Sequence, residues 1–247
     1  MRIIKLFFSL LLAGLIISSC GESDPKDINV KFQMKVGDEA LVHDVTYNVN
    51  GVDVQFTNVA FYLGDMKFRT SDGNTFESTN QYYLIKPGIY DFNFSLTSDE
   101  GKDDINLSNI TFFVGVDPIT NAEEEIDFTE RAVEDPLGQQ NPTMHWGWAG
   151  GYRFLNIDGN ADIDGDGTFE TQLTYHLGFD DFLKNISLNP NRKLEEGANP
   201  FQINFDMNEF LSGVDFETEN FTKVQPDNRS LADKLYNNYS SAFTFAF

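Results

Sequence analysis

The sequence predicts an all-β protein, an antiparallel β-sandwich with long loops and one short C-terminal helix. Three observations carry this prediction. From Asn29 onward, short runs rich in Val, Phe, Tyr, Ile and Thr are separated by turn signals, Asn50-Gly51, Ser71-Asp-Gly-Asn74, Pro87-Gly88 and Asp117-Pro118, and such spacing marks a sandwich or barrel. Aromatic residues make up 14% of the chain and 24 of them are Phe, the large inward side chains that an antiparallel core uses. No shift of composition divides the chain, so residues 28–247 are expected to form one domain.

The elements follow in order. Arg2 and Lys5 precede an apolar run from Leu6 to Ile17 that is short for a bilayer span, and Ile17-Ser-Ser-Cys20 follows. This reads as a signal peptide over residues 1–19 with a lipobox, after whose cleavage Cys20 carries the lipid. Residues 20–27 are then a polar tether, and the protein belongs to the cell envelope of a bacterium, periplasmic or surface-exposed, touching the membrane through its anchor alone. As the chain's one cysteine, Cys20 leaves nothing for a disulfide or a catalytic thiol. Val52 to Leu63, Gly88 to Leu96 and Asn109 to Val116 read as strands; Phe92 and Phe94 share one face of the second, and Ile110, Phe112 and Val114 one face of the third. Residues 119–140 carry Glu123-Glu-Glu125 without strand alternation and read as a surface excursion with a helical turn near 123–133. Ser230-Leu-Ala-Asp233 resembles a helix start, and Leu231, Leu235 and Tyr239 recur at i, i+4 and i+8, so a helix is expected to cover an open end before a last strand, 242–247.

Charge narrows the partners. Without residues 1–19 the chain has 15 Lys+Arg against 39 Asp+Glu, a net charge of −24. Such a surface repels phosphates and anionic headgroups, which argues against nucleic acid, and attracts cations or a basic protein.

Rare residue types gather in one stretch, Asn141-Pro-Thr-Met-His-Trp-Gly-Trp-Ala-Gly-Gly-Tyr-Arg-Phe-Leu-Asn-Ile-Asp158, which holds both tryptophans and one of three histidines. His176 follows in Gln172-Leu-Thr-Tyr-His-Leu-Gly178, where alternation sets it opposite Leu173, Tyr175 and Leu177, towards a polar pocket or solvent. Imidazole suits copper and thioether sulfur suits Cu(I), so His145, His176 and Met144 form a chemically suitable set. Between the two segments, Asp162-Ile-Asp-Gly-Asp-Gly167 matches the first half of an EF-hand loop, but the twelfth position is Leu173 where a bidentate Glu is required. A looser calcium site from Asp162, Asp164 and Asp166, helped by Asp158 or Glu170, remains open beside a merely polar hairpin tip. The chain has no nucleophile elbow, phosphate-binding loop or HExxH signature, so no enzymatic activity is expected.

Met144-His-Trp-Gly-Trp148, Gly151-Tyr-Arg-Phe-Leu155 and Tyr175-His-Leu-Gly178 together resemble the MbnP family, secreted copper-binding proteins paired with di-haem MbnH-type enzymes. The likeness extends through Lys31-Phe-Gln-Met-Lys-Val-Gly37, Phe61-Tyr-Leu63 and Phe112-Phe-Val-Gly-Val-Asp117. The resemblance implies copper bound by His176, with Trp146 or Trp148 oxidised to kynurenine by the haem partner and then serving as a donor. It also implies a ligand from the first strand, where this chain has Met34; His43 is a further candidate from the next turn, and His145 stands where relatives carry an aromatic residue. The expected function is a lipid-anchored copper-binding protein. The alternative is a calcium-stabilised surface module for glycan or protein, with the tryptophans as a stacking platform.

Overall fold

The computed structural model describes residues 26–78, 80–96, 105–147, 150–195, 197–224 and 228–246. Cys20, the expected leader, most of the expected tether and Trp148 lie outside them. Strand β1 (Lys26–Val36) begins inside the expected tether, and its alternation buries Ile28, Val30, Phe32, Met34 and Val36. β2 (Glu39–Ala40) folds back on its end. β3 (Thr46–Val49) and β4 (Val52–Thr70) form a hairpin at Asn50-Gly51, both at positive φ, as the tightest hairpin turns demand. β4 runs on past the expected end at Leu63. β5 (Thr75–Glu77), β6 (Tyr82–Ile85), β7 (Ile89–Leu96) and β8 (Asn106–Val114) follow, and Ile110, Phe112 and Val114 of β8 are buried on one face as expected. The side chain of Phe94 lies outside the described residues.

The excursion holds two short helices, α1 (Pro118–Asn121) and α2 (Glu125–Thr129). It is tied down more firmly than a solvated loop. Asp117 caps α1, accepting from the backbone N–H of Ile119 and Thr120, Pro118 sits at the favoured first position, and the Tyr82 hydroxyl donates to the same carboxylate. Arg131 pairs with Glu123 at 2.6 Å and Asp135 at 3.0 Å, and Leu137 is buried. β9 (Arg153–Asp162) and β10 (Thr171–Gly178) flank the acidic hairpin. Then come β11 (Lys184–Leu188), β12 (Arg192–Lys193), β13 (Gly197–Asp206), α3 (Met207–Phe210), β14 (Phe221–Thr222), α4 (Arg229–Ala242) and β15 (Phe243–Ala246). Leu231, Leu235 and Tyr239 form the buried stripe of α4, as their spacing predicts.

These strands build two sheets. In the five-stranded sheet β1 is central, paired with β7 on one edge and β13 on the other, and β15 lies beyond β13. In the ten-stranded sheet the long β4 pairs with β9 and then β8 along one edge and with β3, β6 and β5 along the other, and β10 lies beyond β9. The sheets are mixed, because β1–β13 and β10–β14 run parallel. Phenylalanines join the sheets: Phe61 of β4 meets Phe32 of β1 at 5.9 Å, Phe205 of β13 at 4.9 Å and Phe243 of β15 at 6.1 Å. Truncating Phe61 to Ala removes a ring shared by three strands of the opposite sheet. It is expected to cost about 3–5 kcal/mol, read as a lowered denaturation midpoint with an unchanged slope.

Candidate metal centre

The site begins with a bulge. Phe56 of β4 stands opposite Gly159 of β9, and Asn58 opposite Asp158, so Thr57 is an extra residue on the bulged strand. Beyond it, Val59 and Phe61 face the other sheet while Asn58, Ala60 and Tyr62 face outward. Register then assigns the faces of β9 and β10: Phe61, Leu155 and Leu177 form an inner row, and Ala60, Asn156 and His176 the adjacent outer row. His176 thus lies on the predicted face, but it is buried, with 5% of its surface exposed.

A hairpin folds over this outer face. His145 bridges Tyr152, and the amide of Arg153 donates to the Met144 carbonyl. Tyr152 meets Tyr62 edge-on at 5.8 Å, its hydroxyl donates to the Leu137 carbonyl and its amide to Asn121, which locks the hairpin to sheet and excursion together. Trp146 lies against Gly178, where a Cβ would stand 2.5 Å from the indole ring and 2.7 Å from the Tyr152 carbonyl oxygen; only glycine permits that approach.

Hydrogen bonding separates the three histidines. His145 stacks on Phe128 at 4.4 Å, and its Nδ1 accepts from the Gly147 amide. Burial holds its pKa below the ordinary value, with the charge of Arg153 acting the same way; the neutral ring therefore carries its proton on Nε2 and keeps no free lone pair. His43, lowered chiefly by burial, accepts from the Val59 amide through Nε2 at 3.3 Å and is engaged in the same sense. His176 differs. Its Nε2 lies 2.8 Å from Asp158 Oδ1, and Asp158 also accepts from Asn58 at 3.3 Å. Burial pushes the Asp158 carboxyl up, but the hydrogen bonds from His176 and Asn58 outweigh it and hold the group below the usual range. A carboxylate can only accept, so Nε2 carries a proton, and in the neutral ring the lone pair is the one on Nδ1, which is buried and has no partner among the described residues.

The remaining predicted residues are dispersed. Met34 is buried on the face of β1 that carries Phe32, inside the apolar interior, whereas His176 lies on the outer face of the other sheet, so the two cannot share an ion. Met144 is buried among apolar residues, 2% exposed beside His145 at 8%. Asp158 serves His176 and not the acidic tip. There, Asp162, Asp164, Asp166 and Glu170 each place a ligand oxygen within 4.8 Å of the others, and among the described residues this is the one such cluster of three or more His, Asp or Glu. Buried Asp162 accepts from the amides of Gly165, Asp166 and Gly167. A cleft of about 720 Å³ lined by Tyr82, Tyr83, Tyr90 and Arg131 includes none of the predicted residues.

Two residues at the centre were not singled out from sequence, Asn58 and Asn156. Their signal was available for Asn156: Asn156 and Asp158 interrupt an apolar strand at i and i+2, which puts both on the face of His176.

Comparison with known proteins gives one family and one structure. The family model described as MbnP matches residues 25–228. The solved structure of MbnP from Methylosinus trichosporium is similar with a TM-score of 0.59 and 12% sequence identity, covering 90% of this chain and 98% of that one; at this identity the likeness shows the fold. No curated protein sequence matches.

Replacing Gly178 with Ala forces the Trp146 ring off β10. The expected result is a loss of about 1–3 kcal/mol and a red-shifted indole emission. An unchanged spectrum would show that Trp146 does not rest there.

Proposed function

Because the chain belongs to the MbnP family, we propose that it is a copper-binding protein of the cell envelope, anchored by lipid at Cys20, which captures or holds the metal as cargo and does not transform a substrate. The observation that supports this most directly is the free Nδ1 of His176, aimed from a buried ring whose other nitrogen is fixed by Asp158. A carboxylate behind a histidine sets its tautomer and raises its basicity, the usual arrangement behind a metal-bound imidazole, and imidazole suits copper.

Trp146 is the better-supported candidate for maturation, with Trp148 the alternative. It is half-buried in the hairpin over the centre, so an oxidising partner has access to it, and its Nε1 has no partner among the described residues. The partner in this reading is a di-haem enzyme of the MbnH type. Conversion breaks the indole C2–C3 bond, adds two oxygen atoms from a haem-activated oxidant and releases the formyl carbon by hydrolysis as formate. The product has a ketone and an aniline in place of a lone N–H donor.

The test pairs two measurements. His176→Ala is expected to weaken copper binding at least tenfold in equilibrium titration, while the fold, read by circular dichroism, persists; equal affinity in variant and wild type would overturn the assignment. Peptide mass analysis of protein from its native membrane is expected to find the mass of kynurenine within residues 144–153.

The acidic tip supports a second, independent site for calcium, whose oxygen ligands and flexible geometry suit clustered carboxylates. Calcium at a hundred times its Kd is expected to stabilise the protein by about 2.7 kcal/mol in thermal unfolding. Asp162→Asn should abolish that shift and leave copper binding intact.

A further inference from the structure

Among the described residues β6 pairs with β4 alone, so its other edge is open. Register fixes which backbone groups stand there. The Tyr62 carbonyl accepts from the Gly115 amide, at the end of β8 and across β4 from β6, and Tyr62 lies opposite Leu84. A strand residue turns its N–H and C=O to the same side, so at this pair the two backbones face away from one another. Leu84, and Tyr82 two residues earlier, therefore present their N–H and C=O groups outward. Lys86, next in the same alternation, agrees: its amide donates to the Tyr90 hydroxyl at 2.8 Å and not to β4. An open edge is a ready template for another strand, and charge or proline usually blunts it; Tyr82-Tyr-Leu-Ile85 has neither.

The cleft of about 720 Å³ follows this edge. Tyr82, Tyr83 and Leu84 all border it, though successive side chains of a strand point to opposite faces; only a cleft running along the edge meets all three. Its two sides differ. Tyr83 and Tyr90 form one, with Tyr83 against Phe92 of the other sheet at 4.4 Å. On the other, the Tyr82 hydroxyl donates to Asp117 and the excursion stands as a wall, fixed by the pairs of Arg131 with Glu123 and Asp135. That wall sets three carboxylates, Glu123, Glu134 and Asp135, against the one guanidinium, and Lys86, bonded to Gln140 at 3.4 Å, leaves the lining acidic.

We propose that an extended polypeptide segment of basic character docks here as an added strand on β6. It pairs with the outward backbone groups of Tyr82 and Leu84 and sends alternate side chains to the two sides, apolar ones toward Tyr83 and Tyr90 and Lys or Arg toward Glu134. Backbone pairing supplies affinity in such docking, and the alternate side chains supply selection. The acidic surface of the chain draws a basic segment in. Walled by the excursion, the edge admits one extended chain and not the sheet of a second copy. The site is independent of the copper reading, since neither His176 nor Trp146 lines the cleft.

The probe is a short peptide of alternating Val and Lys, added to the full chain while amide hydrogen exchange is read residue by residue by nuclear magnetic resonance. Without peptide, the Tyr82 and Leu84 amides are expected to exchange rapidly while that of Tyr83, turned to β4, is protected; the peptide is expected to slow both by about tenfold or more. N-methylation of either the valines or the lysines blocks one edge of the peptide. One of the two modified peptides is expected to bind about tenfold more weakly, the worth of one or two hydrogen bonds, and the other far less so. Glu134→Lys is expected to weaken this peptide several-fold and to favour one of alternating Val and Glu. Leu84→Pro, which an outward-facing edge amide tolerates, is expected to keep the fold by circular dichroism and lose the peptide; should it unfold, the N-methyl comparison, which leaves the protein untouched, decides. Tyr82 and Leu84 amides protected before peptide is added, no slowing at millimolar peptide, or binding indifferent to N-methylation each overturns the proposal. So does a neutral oligosaccharide that shifts the resonances of the cleft where the peptide does not, which would make it a glycan site.

Discussion

One extra residue in β4 organises both the interior and the candidate centre. A strand alternates its faces strictly, so without the bulge, with Thr57 taken into the regular alternation, the face carrying Val54 and Phe56 would continue into Asn58 and Ala60. Phe61 would then point outward, and the ring cluster joining the two sheets would lose its middle member. The bulge reverses the parity: it turns Phe61 inward to Phe32, Phe205 and Phe243 and turns Asn58 outward to the carboxylate of Asp158. Gly159 is part of the same device, since a Cβ there would come within 2.6 Å of the Gln55 carbonyl oxygen.

A sheet face left outward would ordinarily be polar and wet. Here the 144–153 hairpin covers it, held by Tyr152 to β4 on one side and by Trp146 to β10 on the other. Burial then changes what the polar residues below it are worth. Water no longer satisfies them, so every hydrogen bond they lack raises the energy of the metal-free protein. His176 settles half of this with Asp158, while Asn156 finds no partner among the described residues. An arrangement unfavourable on its own is the usual balance between stability and a preformed polar site.

Much of this fold is legible in the sequence wherever the evidence is local. The stripe on α4, the hairpin at Asn50-Gly51 and the buried face of β8 follow from periodicity and turn chemistry within a few residues. The parallel partnership of β1 with β13 is not legible, because neither strand carries a mark of the other. The same division runs through the centre. The face of His176 follows from Leu173, Tyr175 and Leu177, but its burial depends on a hairpin from elsewhere in the chain. Met34 and His176 look compatible as donors, and only the register across two sheets places them on opposite sides of one. His145 was grouped with His176 for its chemistry, whereas the amide of Gly147, two residues on, occupies its lone pair.

The pairing of Lys26–Lys35 with Gly197–Asp206 also governs when the molecule can form. β1 is the middle strand of its sheet, and one of its two edges stays empty until most of the chain has been made. Contacts so distant in sequence are slow to close, since the loop entropy is spent before the sheet rewards it. A chain built this way remains open through most of its synthesis, the condition in which a polypeptide can still be threaded through a narrow export channel.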